Sequence, residues 1–150
     1  MPTTYTHDVF GKMVYQKLPE NLKEIVEEHM NAYRIGQHGP DILFYDIPNA
    51  RVTGTGIAMH REAAAPFFER GMTIVRQKKD EKLLAYLLGF ACHYLLDSTC
   101  HPYVYEMAEK KVISHTLLEK EFDRTLMLET GKNPYRYYPS CGVIPHITYA

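Results

Sequence analysis

Residues 93–119 carry His93, Asp97, His101, His115 and Glu119, side chains able to ligate a metal, in that order. The first three are spaced four apart, and so are the last two. Side chains four apart on a helix stack on one face, one turn above the other. Two imidazoles and a carboxylate on one helix can therefore face an imidazole and a carboxylate on another. A helical protein builds a site for a cation such as zinc in this way.

The elements that must position these groups read as helices. Residues 9–18 and 22–32 carry apolar side chains at helical spacing, with Pro19 suited to a helix start. Residues 35–49 read as loop, punctuated by Gly36, Gly39, Pro40 and Pro48, and residues 53–56 as a second turn-rich stretch. A helix is expected over 58–79, disturbed by Pro66 and Gly71. Asp80 is a cap for the next, over 81–99, which Pro102 stops or kinks. Ser114 caps a last helix to about residue 129, closed by Gly131. No alternating strand pattern and no internal repeat is visible. The expectation is an all-α, compact multi-helix domain over 1–131 with a metal site between helices, then a Pro/Tyr-rich tail or lid over 132–150. Tyr135, Tyr137, Tyr138 and Tyr149 of that tail are candidates to shape a pocket or touch a membrane surface.

The helix over 81–99 is apolar nearly all round, from Leu83 and Leu84 to Tyr94, Leu95 and Leu96, and is expected to be central. His93 and Asp97 then sit where a charge is costly. An unpaired buried carboxylate costs on the order of several kcal/mol or takes up a proton. A bound cation removes that conflict.

Composition bounds the partners. Seventeen basic against eighteen acidic residues leave a net charge of −1, which gives no footprint for nucleic acid or an anionic membrane. The longest apolar stretch, residues 83–96, is too short to span a bilayer. Three cysteines, Cys92, Cys100 and Cys141, form no disulfide framework. With no signal-peptide pattern at the start, they suit reduced thiols in a cytoplasm. Cys92 and Cys100 adjoin His93 and His101, about 100° away around the helix, and read as packed thiols.

Other residues have simpler readings. His7–Asp8 suggests a phosphohydrolase His-Asp pair, but that motif needs an earlier histidine and none precedes His7. His29, beside Glu27 and Glu28, reads as solvated; His38 and His146 read as loop residues without a clear partner. Arg61 is expected on the surface in a salt bridge, or touching phosphate.

Taken together, His7, Gly39-Pro40-Asp41, His60, the run from His93 to Asp97, His101-Pro102 and His115-x-x-x-Glu119 resemble the zinc-dependent phospholipase C family. That all-α fold is shared with single-strand-specific zinc nucleases. The resemblance runs from residue 6 to Asp123. It implies two or three zinc ions. One would be held by Asp41, His60, His93 and Asp97, and a second by His101, His115 and Glu119. A third would use His7, a bridging Asp97 and the chain's amino terminus. Asp41 would also orient or deprotonate the attacking water. The implied activity is hydrolysis of phosphate esters, on a small phosphodiester or a phospholipid headgroup.

Where the family pattern places an aromatic box for choline, this chain has Ile42 and Ile57, so that specificity does not carry over. Phe44 and Tyr45 are nearby aromatics that either contribute otherwise or pack. Two alternatives remain. One is a single-strand nuclease, which would draw on the twelve tyrosines as stacking platforms. The other is a metal-binding protein without turnover. A structural zinc site is closed by four protein ligands, whereas His101, His115 and Glu119 leave a position open.

Overall fold

One long helix, α6 (Glu81–Glu109), is the axis on which the rest is assembled. The computed structural model describes residues 4–46, 48–110 and 113–137. Among them lie α1 (Thr4–Lys17), α2 (Glu20–Glu28), α3 (Met30–Gly36), a 3-10 segment (Gly39–Tyr45), α4 (Ala50–Met59), α5 (Ala64–Lys78), α6 and α7 (His115–Glu129). No strand occurs among the described residues, as the sequence pattern predicts. Helix α6 touches α1, α2, α3, α5, α7 and the 3-10 segment.

The closest packing is between α3 and α6, and glycine makes it possible. A Cβ on Gly89 would lie 1.9 Å from the Tyr33 carbonyl oxygen, and one on Gly36 would lie 2.2 Å from that of Tyr86. Only backbones without side chains can cross so near. Around this crossing Val26, Ala32, Tyr33, Ala85 and Cys92 are buried, with Phe10, Val14, Leu18, Ile25 and Leu88 packed against them. The Tyr33 hydroxyl donates to the Gly11 carbonyl at 2.7 Å, satisfying a buried polar group and tying α3 to α1.

Several boundaries follow local chemistry. Asp80 accepts from Leu83 N–H at 2.9 Å and Ser114 from Leu117 N–H at 3.3 Å, so both act as the expected caps. Gly131 closes the chain beyond α7 with φ 72°.

Three boundaries correct the sequence reading. Residues 53–56 are helical, inside α4, because Asn49 caps it and Gly56 allows close contact with Phe44 and the Pro40 carbonyl. The expected helix over 58–79 starts only at Ala64. Pro66 falls in its first turn, where the missing N–H has no helical partner to lose. Helix α6 runs on through Pro102 to Glu109. The N–H lost there would have bonded the Ser98 carbonyl, and Ser98 is exposed, where solvent can take its place.

This longer α6 is, by length and composition, apolar enough to cross a membrane. It is the shared packing partner of the bundle instead. It is not buried all round: Tyr94 and Leu95 are 44% and 53% exposed.

Past α7, Tyr137 packs edge-on against Tyr5 at 5.5 Å, while Tyr135 points outward at 84% exposure. Tyr138, Cys141, His146 and Tyr149 lie outside the described residues, as does the amino terminus.

Candidate metal centre

Four elements converge on the middle of α6. Helix α1 brings His7, the 3-10 segment brings Asp41, and the C-terminal end of α4 brings His60. Helix α6 brings His93, Asp97 and His101, and α7 brings His115 and Glu119 from its first two turns. Candidate ligand atoms gather in three sets: His7, His93 and Asp97; Asp41, His60 and His93; and His101, His115 and Glu119. In each, one ligand atom per residue lies within 4.8 Å of the others. All eight residues singled out from the sequence fall in these sets.

The distances are those of ligands around an ion. Asp41 Oδ1 is 3.0 Å from His60 Nε2, Asp97 Oδ1 is 3.3 Å from His7 Nε2, and Asp97 Oδ2 is 3.4 Å from His93 Nε2. Glu119 Oε1 is 2.8 Å from His115 Nε2 and 3.6 Å from His101 Nε2. Tetrahedral zinc with bonds near 2.1 Å sets its ligand atoms about 3.4 Å apart.

The imidazoles are oriented through their second nitrogens. His60 Nδ1 donates to the Gly56 carbonyl at 2.7 Å, His93 Nδ1 to that of Gln37 at 3.2 Å, and His101 Nδ1 to that of Asp97 at 2.8 Å. A carbonyl only accepts, so the proton is on Nδ1. In the neutral ring Nε2 then carries a lone pair, and each of these lone pairs faces a carboxylate oxygen. The same second-nitrogen bond fixes tautomer and ring angle in metal-ligating histidines.

Burial sharpens the conflict. His7, Asp41, His93, Asp97 and Glu119 are all buried. His7 Nδ1 and Nε2, His93 Nε2 and both Asp97 carboxylate oxygens have no hydrogen bond of acceptable geometry. Burial pushes Asp97 up, yet the imidazoles of His7 and His93 beside it outweigh that and hold it well below the usual carboxylate range. Burial pushes His7 below its ordinary value despite Asp97. Burial and the neighbouring charges thus pull in opposite directions on this pair. His60, half-open to solvent, is pulled up by Asp41 against burial. Buried lone pairs and negative oxygens converge without enough protons, and a divalent cation fits that donor set.

Other residues hold this arrangement. Gly39 has φ 53°, and a Cβ there would lie 2.2 Å from His93 Cδ2. The His7 and His93 rings stack at 4.3 Å. Asp123 of α7 accepts from Tyr5 N–H at 3.2 Å and Thr6 N–H at 3.0 Å, and also from the Thr6 hydroxyl. It caps α1 from a distant part of the chain, one residue before His7. Burial pushes its carboxyl up to about 6 against those donors.

The sequence gives no sign of this cap, because the partners are 117 and 118 residues apart. His38 lies in a turn, as expected, and is buried there. It is 5% exposed, close to the ring of Tyr45, and burial followed by repulsion from His7 pushes its pKa down. The Gln37–Gly39 turn draws it inward as it delivers Asp41.

Asp8 is occupied by Lys12 and Arg34, which removes the His7–Asp8 phosphohydrolase reading. Glu28, His29 and Glu81 form a fourth group, more exposed and remote from the centre. Ile42 and Ile57 are exposed, and Phe44 stacks on His60 at 5.6 Å. Arg61 is exposed and is not among the described residues lining the cleft beside the centre.

An all-α domain whose central helix presents a histidine and carboxylate centre to neighbouring helices defines a class of helical metalloprotein. Residues 6–145 match the family described as zinc dependent phospholipase C, and the chain belongs to that family. Neither a curated protein nor a solved structure matches the chain.

Proposed function

We propose that the protein hydrolyses phosphate esters as a zinc-dependent phosphodiesterase, with His7, Asp41, His60, His93, Asp97, His101, His115 and Glu119 holding two or three ions. The observation that carries this reading is the set of Nδ1–H bonds to main-chain carbonyls, which leaves Nε2 lone pairs converging on carboxylates. Bound there, zinc would supply Lewis-acid charge to phosphate oxygens and acidify an attacking water.

The chain's own residues do the rest. A cleft of about 340 Å³ opens beside the centre, with His60, His93, Asp97 and His101 among its lining residues. It therefore reaches both the His60–His93 side and the His101 side. Asp41, buried against His60, serves as a ligand and accepts a proton from the attacking water. Asp97 presents one oxygen toward His7 and the other toward His93, the arrangement of a bridging carboxylate. The substrate is a small phosphodiester or a phospholipid headgroup.

Zinc analysis after chelator-free purification and hydrolysis of bis(4-nitrophenyl) phosphate test the proposal. We expect at least one zinc per chain and turnover that His93→Ala and Asp97→Asn each abolish. Zinc bound without turnover would reduce the protein to a metal-binding role. Activity retained in both variants would remove these residues from the mechanism.

A further inference from the structure

The cleft beside the centre has a floor and walls of different character. Its floor is His60, His93, Asp97 and His101 of the candidate ligand set. Its walls are Met59, Phe67, Phe90, Tyr94 and Tyr105. Phe67 and Phe90 are in contact, with ring centroids 4.4 Å apart. Tyr105 leans over His101 at 5.2 Å and His115 at 5.3 Å, carrying the aromatic wall to the second ligand set. The charged side chain outside the ligand set is Glu62, and no lysine or arginine appears among the described lining residues.

We propose that the cleft selects esters bearing a single phosphoryl group on a compact apolar substituent and rejects substrates with a second anionic group. This inference rests on the hydrolase reading above and names its substrate class. Positive charge in the cleft is confined to whatever ions the floor holds. A phosphoryl group there is neutralised. A further phosphate along the cleft meets the negative faces of aromatic rings and the Glu62 carboxylate. It must shed water without gaining a cationic partner, which is unfavourable. Proteins that bind nucleic acid strands neutralise successive phosphates with Lys and Arg, and this cleft offers neither. Its volume of about 340 Å³ is near the small end of the usual range for ligand sites and suits one ring or a short aliphatic group. An aryl group gains from burial against the walls and from offset stacking.

The test is calorimetric binding of three non-hydrolysable probes to the zinc-loaded protein: phenylphosphonate, methylphosphonate and 1,4-benzenediphosphonate. Phenylphosphonate should bind about tenfold tighter than methylphosphonate, the scale expected for burying a ring on aromatic walls. It should also bind about tenfold tighter than the diphosphonate, whose second anion faces Glu62. Phe67→Ala should shrink the first ratio and Glu62→Gln the second. Equal binding of methyl- and phenylphosphonate, tightest binding of the diphosphonate, or binding of none would overturn the assignment. Hydrolysis of bis(4-nitrophenyl) phosphate measured alongside separates the two readings. The expected binding order without turnover supports the cleft assignment and strikes the hydrolase. Turnover with the reverse order strikes the cleft assignment alone.

Discussion

Gly39→Ala is the sharpest perturbation of the centre that substitutes none of the candidate ligands. Gly39 has φ 53°, in the left-handed region, where a side chain costs about 1–2 kcal/mol. The new Cβ would also lie 2.2 Å from His93 Cδ2, 2.4 Å from Cγ and 2.7 Å from Nε2. Carbon atoms in contact sit about 3.5 Å apart, so the ring must retreat by roughly 1 Å or more. His93 is held against His7 at 4.3 Å and bonded to the Gln37 carbonyl at 3.2 Å, so any retreat breaks a contact that orients it. Overpacking of this kind adds about 1–3 kcal/mol. The total expected loss of stability is about 2–5 kcal/mol, read from urea unfolding. A misplacement of about 1 Å at a catalytic group costs about 100-fold in rate, and we expect that loss in hydrolysis with weakened zinc retention.

Gly131→Ala is the matched control. Its φ is 72° and its Cβ would meet nothing within 4 Å. It carries the same backbone strain, about 1–2 kcal/mol, without touching a ligand. Its zinc content and turnover should equal those of the unaltered protein. If Gly39→Ala matched Gly131→Ala in stability, zinc content and rate, the account of how His93 is placed would be wrong.

Other outcomes follow from the same contacts. Asp123→Asn replaces one of two acceptor oxygens with a donor facing Tyr5 N–H. It should cost about 1–3 kcal/mol in urea unfolding and lower turnover through His7, while zinc at the His101 group is retained. Chelation should lower the melting temperature, because buried Asp97 and the lone pairs around it lose their compensating charge; an unchanged melting curve after verified zinc removal would contradict this. His7 and His38 should each contribute an acid-side loss of stability to the metal-free protein, which melts of the chain and of its His7→Ala and His38→Ala variants between about pH 5 and pH 7 will read. Burial holds His7 and His38 below the ordinary histidine value of 6.5, so the unfolded chain binds their protons first. Their contribution is complete above pH 6.5 and fades as pH falls below it. His60 and Asp123, both raised, act in the opposite sense, so His60→Ala and Asp123→Asn should each steepen the acid loss.

The part of the centre legible in the sequence is the part set by helical periodicity. His93, Asp97 and His101 share a face because they repeat at intervals of four, and His115 and Glu119 do likewise on α7. Caps written in neighbouring residues, Asp80 and Ser114, were equally readable. What escaped depends on distant parts of the chain. Asp123 has no local signature as a cap for α1, and its role exists only once α7 lies against Thr6. The burial of His38 escaped as well, because the Gly and Pro around it mark a turn without saying which way it faces. Two prolines are accommodated within helices for one reason. At Pro66 the helix had not yet begun to need the N–H, and at Pro102 the freed carbonyl belongs to Ser98, which is exposed. The apolar residues around α6 suggested burial on all sides. The fold leaves part of the helix surface open, with Tyr94 and Leu95 partly in solvent.

Asp97 connects the ligand sets in two ways that substitution can separate. Its side chain faces His7 and His93 through different oxygens. Its main-chain carbonyl accepts the Nδ1–H of His101 and so aims the Nε2 of that ring at Glu119. Asp97→Asn alters the first link and leaves the second, because the carbonyl survives any side-chain change. The same turn of α6 therefore fixes the relative position of the two sides of the centre through its backbone, whatever the side chain carries. The spacing between the two sides is set by helix geometry, one of the stiffest features available to a chain of this size. The fold concentrates its unfavourable burial of acids and lone pairs at that turn.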